Sequence, residues 1–596
     1  MCGIIGYVGE NQAAEKIIKG LRVLEYRGYD SVGICVGGEL EVAKSRGRVD
    51  ALEKHIGDWE LPPATVGIGH TRWATHGAPS DVNAHPHRVG RVALVHNGII
   101  ENYRELKELL EGKGYTFKSE TDTEVAAGAI DFCIGTSKDT ITGIKRATHM
   151  MKGSYAFAIM VLGEGERIYA TRCGSPLIVG KGTDGFYLAS DITALLPFTR
   201  TYCSLREGEI LTLERQEVRA TGQGIAWQET TLTPTAAQKG GYEHFMLKEM
   251  WEQPRVIKEC LRPRIVDSLP NFKGDGIGDE LFVGLSAVHM VACGSAMHAG
   301  LLARQAFEEW AKIPTGVYVA SEYRYSPPLA DENTLVIIIS QSGETADSLA
   351  CLRYAKERGL STLAVVNTVE SSIAREADYR AYTYAGPEIA VATTKGYMTQ
   401  GCLLYHMALM AGLARGKLSA DRAREITNCL FSKCPQAVED VLKNDGEIRA
   451  LAERIYEKEN IFYIGRGVDC ALAMEASLKL KEISYIHCEA YPSGELKHGT
   501  ISLIEEGTPV IAISTEKRLY DKLDSNVKEV ASRGALTAII GGEDGAEIRV
   551  KIATGDEISD AFAAVTAAQL LAYHVALLRG CDIDKPRNLA KSVTVE

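Results

Sequence analysis

No C-x-x-C pair occurs among the 14 cysteines, which are scattered along the chain from position 2 to position 581. That absence argues against a zinc ribbon or a disulfide framework and fits reduced thiols, most of them small core residues. No dense Lys/Arg cluster is present either, and the formal net charge is −12. A nucleic-acid binder carries a basic face, so no nucleic-acid partner is expected. The start, Met1-Cys2-Gly3-Ile4-Ile5, lacks the basic residues and long apolar core of a secretory signal, and a cytoplasmic location is expected. The uncharged run 396–414 approaches membrane-span length, but Thr399, Gln400 and His406 interrupt it. It is read as a buried helix of a soluble domain, with no membrane partner expected. What is present is ordinary: 45% apolar and 24% charged residues exclude disorder by composition, and 596 residues predict two to four domains.

The first 235 or so residues alternate short apolar strands with helical segments, which predicts an α+β domain of layered sheets. Residues 228–242 are polar, with one Pro and two Gly, and read as a linker. Beyond 243 the pattern changes. Continuous apolar strands (287–292, 335–339) alternate with helices (299–310, 346–357), the mark of a parallel sheet covered on both faces. The pattern restarts near 460, again as strand, glycine turn and helix: Cys293-Gly294-Ser295 in the first copy, Gly465-Arg466-Gly467 in the second. An internal duplication follows. The expected boundaries are 2–235, a linker at 236–242, lobes at 243–430 and 431–585, and a tail at 586–596.

Met1 precedes a small residue, so its removal is expected to leave Cys2 with a free α-amino group. A thiol beside an amine of pKa near ~8 is a self-contained nucleophile and base. A Met-Cys start is by itself unremarkable; its neighbourhood adds weight. His70-Thr71-Arg72-Trp73-Ala74-Thr75-His76-Gly77 and Asn97-Gly98 each end a strand, and Ser119-Glu120-Thr121-Asp122-Thr123 precedes a helix. A glutamine substrate needs a guanidinium for its carboxylate, a carboxylate for its ammonium and donors for the developing oxyanion. Arg72, Asp122, and Asn97 with the Gly98 N–H are groups of those types. Arg72 is as readily a surface charge, and Asp122 a helix cap. His76, His85 and His87 have no carboxylate at ligand spacing, so no metal is expected there.

The strand at 335–339 runs into Ser340-Gln341-Ser342-Gly343-Glu344-Thr345 and a helix. Hydroxyls and free N–H groups at a helix start make an anion pocket. The lysine and second glycine of a Walker loop are missing, which favours one phosphate monoester over a nucleoside triphosphate with Mg²⁺. The bland alternative is a Ser-capped helix. Farther on, Glu475, Lys479 and Glu482 share one helical face. They read either as a solvated face or, with Lys497-His498-Gly499 and Arg587-Asn588-Leu589-Ala590-Lys591, as the acid–base set of an aldose–ketose isomerisation. A lysine amine can also condense with a ketone.

Six segments together resemble the glutaminase domain of class II amidotransferases, which are N-terminal nucleophile hydrolases: Cys2-Gly3-Ile4-Ile5-Gly6, Tyr26-Arg27-Gly28-Tyr29-Asp30-Ser31, the stretch from His70 to Gly77, Asn83-Ala84-His85-Pro86-His87, His96-Asn97-Gly98-Ile99-Ile100-Glu101-Asn102, and Ser119 to Glu124. The resemblance implies that Cys2 forms the glutamyl thioester and Asn97 and Gly98 the oxyanion hole. It implies that Arg72 and Asp122 hold the α-groups, that Trp73 gates an ammonia passage, and that Arg27 lies near the nucleophile. The phosphate-loop motif, Val391-Ala392-Thr393-Thr394-Lys395, the helix of Glu475 to Glu482, Gly494-Glu495-Leu496-Lys497-His498-Gly499 and the closing tail resemble the glutamine–fructose-6-phosphate aminotransferase family from end to end. This implies an α+β N-terminal nucleophile hydrolase domain of αββα layers followed by two α/β sugar isomerase lobes with parallel sheets. By the same resemblance Ser340, Gln341, Ser342 and Thr345 hold the phosphate, with Ser295, Val391, Thr393 and Ala590 around the sugar. Glu482 moves the proton between C1 and C2, Lys479 assists, His498 of the counterpart subunit of a homodimer opens the ring, and Lys591 forms a Schiff base at C2. The partners implied are glutamine and fructose 6-phosphate, with no cofactor and no pyridoxal phosphate. One departure is Cys293-Gly294-Ser295-Ala296, where the family reads Cys-Gly-Thr-Ser. Ala296 lacks a hydroxyl, which keeps open a different sugar phosphate as substrate; a sugar-phosphate sensor with a decayed site is the alternative from another class.

Overall fold

The computed structural model describes residues 2–57, 61–74, 76–230, 232, 238–542, 545–552 and 554–594. Met1, Thr75, positions 236 and 237 of the expected linker and positions 595 and 596 of the tail lie outside the described residues. The chain forms two compact units, Met1–Gln238 together with Ala590–Glu596, and Lys239–Leu589.

The first unit is built on two antiparallel sheets. Strand β1 (Gly3–Gly9) is followed by helix α1 (Ala13–Leu24), strand β2 (Val66–Arg72), strand β3 (Val92–Ile100), and helices α2 (Asp122–Gly135) and α3 (Thr140–Met150). One sheet has eight strands with β1 and β2 paired at its centre, and the other has six, with β3 paired to Gly153–Val161. Strand alternation builds the layers. Ile4, Val8 and Ile68 of the first sheet meet Ala93, Val95, Ala156 and Ala158 of the second in one core. Ile5 and Tyr7, on the other face of β1, pack on Ile17 and Leu21 of α1. Val92 and Leu94, on the other face of β3, pack on Ala126 and Ile130 of α2 and Ile144 and Ala147 of α3. The result is the expected αββα stack.

The second unit holds two five-stranded parallel sheets. In the first lobe strand β4 (Ala287–Ala292) leads into helix α4 (Gly294–Ala306), and strand β5 (Thr334–Ser340) into helix α5 (Ala346–Glu357). Helix α6 (Lys395–Ala414) is the uncharged run of the sequence, and its residues from Lys395 to Gly412 are buried. In the second lobe strand β6 (Asn460–Gly465) leads into helix α7 (Val468–Ser484), strand β7 (Pro509–Ser514) follows, and helix α8 (Glu557–Leu578) closes the lobe. Numbered within each lobe, both sheets run 2-1-3-4-5. The repeated order is direct evidence of the duplication, and it puts a topological switch point beyond the carboxyl ends of β4 and β5, and of β6 and β7. A single apolar core joins the lobes: Met290 and Ile337 from one sheet, Ile461 and Ile511 from the other, with Leu403, Leu480 and Leu571 from α6, α7 and α8. Among the described residues, α8 alone is long and apolar enough to cross a membrane, and most of it is buried in this core.

Candidate active sites

The first site forms where β1 begins. Pairing of Gly3 with Thr71 brings Cys2 beside the end of β2, and the Trp73 N–H donates to Cys2 Sγ at 3.3 Å. Burial pushes the Cys2 thiol pKa up, against the lowering effects of the chain-terminal amine, the Trp73 N–H and Arg72. Asn97, near the end of β3, donates from Nδ2 to the Cys2 carbonyl oxygen at 2.9 Å. Its Oδ1 lies 3.1 Å from His70 Nε2, which also meets the His96 carbonyl oxygen at 3.0 Å. Both partners are acceptors, so Nε2 carries the hydrogen. Burial holds the His70 pKa down at about 3 although the Asn97 contact raises it, so the ring stays neutral and keeps this tautomer around neutral pH. Gly98 has φ +132, and a Cβ there would sit 2.0 Å from the Ser154 carbonyl oxygen. Only glycine presents its N–H in that conformation.

Arg72 is 3% exposed, which removes the surface-charge reading. Its NH2 group donates to the carbonyl oxygens of His76 and Gly77, while NH1 is buried without a partner among the described residues. A buried guanidinium with one unspent edge is a seat for a carboxylate. The helix-cap reading of Asp122 fails as well. Thr121 caps α2 through the Glu124 N–H, and Asp122 is oriented by accepting the Ile100 N–H at 2.8 Å. Arg27 pairs with Asp191, which also accepts from Tyr26 at 2.8 Å. His70 stacks on His85 at 4.2 Å, and His85 meets His87 edge-on at 5.0 Å. Among the described residues no group of three or more His, Cys, Asp or Glu is placed to hold a metal ion.

The second site lies at the switch point of the first lobe. Ser340 Oγ accepts the Gly343 N–H at 3.0 Å and lies 3.2 Å from Thr345 Oγ1. The N-cap of α5 is Thr345, and its side chain makes no capping hydrogen bond. A Ser-capped helix therefore does not account for these hydroxyls, and the amino end of α5 keeps its dipole for an anion. Gly343 has φ +66, and a Cβ on it would meet Ser371 Oγ at 2.0 Å. Gly343→Ala is expected to destabilise the second unit by about 1–3 kcal/mol, read as a lower thermal midpoint. Nearby, Glu388 caps α6 by accepting the Thr394 and Gly396 N–H groups and the Thr393 hydroxyl. The Val391 N–H donates to the Asp584 carbonyl oxygen at 3.0 Å.

Glu475, Lys479 and Glu482 do share one face of α7, but that face is not solvated. Glu475 is 0% and Lys479 1% exposed. Lys479 Nζ lies 2.5 Å from Glu482 Oε2 and 3.6 Å from Glu475 Oε1. Burial works to lower the Lys479 pKa, yet Glu482 and Glu475 outweigh it and the net shift is upward. Lys479 is therefore a fixed ammonium rather than a free amine nucleophile. Ser295, expected beside the sugar, gives its hydroxyl to Glu475 Oε1 at 2.9 Å. His498 is exposed on the 3-10 turn Ser493–His498. Ala590 and Lys591 belong to the tail that groups with the first unit.

The second lobe fills its own switch point. Glu516 Oε1 accepts the Val468 N–H at the start of α7 at 2.6 Å, and Asp469 accepts the Thr515 N–H at 2.9 Å and the Glu516 N–H at 3.3 Å.

Comparison with known proteins agrees with this division. A glutamine amidotransferase domain model matches residues 70–197, and a SIS domain model matches twice, at 286–411 and 454–579. The glutamine–fructose-6-phosphate aminotransferase [isomerizing] of Caldanaerobacter subterraneus subsp. tengcongensis is 45% identical, and the match covers 100% of both chains. The chain belongs to the isomerizing glutamine–fructose-6-phosphate aminotransferase family. The family protein of Thermococcus kodakarensis is 44% identical over 100% of both chains. The C-terminal domain of the glucosamine-fructose-6-phosphate aminotransferase from Francisella tularensis superposes with a TM-score of 0.56 at 36% identity, covering 58% of this chain and 99% of that one. Membership in the aminotransferase family accounts for both an amidotransferase unit and a duplicated sugar isomerase unit. It leaves each side chain's part to the geometry. The motifs drew attention to Cys2, Arg72 and Glu482. They gave no sign of His70 behind Asn97 or of His298 beside Glu475, because those contacts depend on how separate elements pack.

Proposed function

We infer that the chain converts fructose 6-phosphate and glutamine to glucosamine 6-phosphate and glutamate; its relatives are named glutamine–fructose-6-phosphate aminotransferase [isomerizing]. The full-length match to isomerizing aminotransferases carries this reading, and formation of glucosamine 6-phosphate by the purified chain tests it. In the reading, Cys2 attacks the glutamine amide. Its thiol is raised by burial and needs a base, which its own α-amino group supplies once Met1 is gone. Asn97 Nδ2 and the Gly98 N–H receive the oxyanion, Arg72 NH1 takes the α-carboxylate, Asp122 takes the ammonium, and Trp73 gates the ammonia. Ser340, Gln341, Ser342, Thr345 and the start of α5 seat the phosphate, Glu482 moves the C1/C2 proton beside the Lys479 ammonium, and Lys591 condenses with the C2 carbonyl.

Two features of this reading have their own tests. His70 donates to Asn97 Oδ1 and so turns the Asn97 amide nitrogen toward Cys2. His70→Leu is expected to lower kcat for glutamine hydrolysis by about 10- to 100-fold, while alkylation of Cys2 by iodoacetamide, which forms no oxyanion, keeps its rate. His70→Gln retains a donor and recovers most of the activity. The exposure of His498 supports a role across a homodimer, and sedimentation measures the subunit count.

A further inference from the structure

Both carboxylate oxygens of Glu475 are claimed by the first lobe. Ser295 Oγ donates to Oε1 at 2.9 Å and His298 Nδ1 donates to Oε2 at 2.8 Å. The two donors stand three residues apart on α4, and Glu475 stands on α7 of the second lobe. Serine, histidine and glutamate are all buried, at 8%, 7% and 0% exposure. Because Glu475 only accepts, His298 Nδ1 carries the hydrogen. Glu475 in turn faces Lys479 at 3.6 Å, and Lys479 holds Glu482 at 2.5 Å. A continuous row runs from His298 through Glu475 and Lys479 to Glu482, crossing from one lobe to the other.

The row has a mechanical logic. A buried carboxylate must be hydrogen-bonded or paired. Glu475 has three donors to choose from, and two of them are fixed on α4. With those two in place, Lys479 is left to Glu482. With the His298 donor removed, the Lys479 ammonium, already 3.6 Å from Oε1, is a charged donor within reach of Glu475. Its movement toward Glu475 takes it from Glu482. The carboxylate that meets the substrate then loses both its fixed rotamer and its counter-charge. An ångström of misplacement at a reacting group is worth far more than one hydrogen bond.

We propose that His298 is a positioning residue for the isomerisation: by holding Glu475 Oε2 it sets Lys479 and, through Lys479, the orientation of Glu482. The proposal rests on Glu482 being the base, and its test separates the two. The measurement is solvent-deuterium exchange at C1 of fructose 6-phosphate without glutamine, with glutamine hydrolysis followed alongside. His298→Gln keeps a polar side chain but carries its amide nitrogen past the Nδ1 position. It is expected to lower kcat for exchange by about 30- to 100-fold with KM changed less than about threefold, and to hydrolyse glutamine at the parent rate. His298→Asn puts its amide nitrogen close to the Nδ1 position and is expected to stay within about threefold of the parent. A merely structural role would not produce a kcat effect restored by Asn and not by Gln. His298→Gln exchanging at the parent kcat, or His298→Asn as impaired as His298→Gln, overturns the proposal. If either variant fails to fold, Ser295→Ala, which removes the other donor to Glu475, must show the same lowered kcat at unchanged KM, and an unaffected kcat overturns it. Glu482→Gln is the control: inactive in exchange while His298→Gln is unaffected, it sinks the positioning role alone; still active, it sinks the base assignment and the proposal with it.

Discussion

Cys2→Ala is expected to lower glutamine hydrolysis by about 10⁴-fold or more, while deuterium exchange at C1 of fructose 6-phosphate continues at the parent rate. The size follows from what is left behind. The proposed oxyanion donors of Asn97 and Gly98 remain, and so does the proposed Arg72 seat. The thiol that the Trp73 N–H meets at the start of β1 is gone. Water would have to attack an amide without a covalent intermediate, and the residual rate is what orientation and the oxyanion hole supply. Exchange should survive because Glu482 and Lys479, the proposed base and its counter-charge, belong to the other compact unit. The two assays are run on one preparation; a loss of both together would contradict separable sites.

Glu482→Gln should show the converse, a loss of exchange at C1 of about 10²- to 10⁴-fold with glutamine hydrolysis intact. Glutamine is nearly isosteric and can still accept from Lys479 Nζ, which lies 2.5 Å from the carboxylate. The substitution therefore removes the base while disturbing the packing of α7 little. It also takes one negative charge from beside Lys479, whose pKa is raised by Glu482 and Glu475 against the lowering effect of burial. Glu475 remains at 3.6 Å, so the ammonium is not orphaned and the unit should fold. A variant that exchanges as fast as the parent would move the base to another residue.

The layers of the first unit and the parallel sheets of the second were legible because both follow from periodicity, which is local. The αββα stack needs only that β1 and β3 alternate their faces, and Ile4 and Ile5 do so in plain view. The five-strand order was not legible, since it depends on which strand pairs with which. Motif residues announced the two sites, but their surroundings settle what each can do. Spacing alone leaves Arg72 equally a surface charge, and its 3% exposure removes that reading. The face of Glu475, Lys479 and Glu482 carries the spacing of a solvated ion-pair ladder, and nothing local distinguishes a ladder from a buried row. Ser295 was expected at the sugar on family grounds; its hydroxyl is bonded to Glu475, 180 residues away in the chain. Contacts of that separation follow from the packing of α4 on α7 and leave no trace in the spacing of either helix.

The acidic plug of the second lobe has a consequence for how the two copies have parted. In the first lobe the amino end of α5 has Thr345 at its cap without a side-chain capping hydrogen bond. In the second lobe the Glu516 side chain, from within the chain, accepts the Val468 N–H at the start of α7. The two copies thus differ at this point: the second meets its helix start with a side chain of its own, and Lys479 and Glu482 stand farther along the same helix. Opening the second copy's switch point would mean replacing Glu516, which also accepts from Arg518 and so ties that loop to the start of α7.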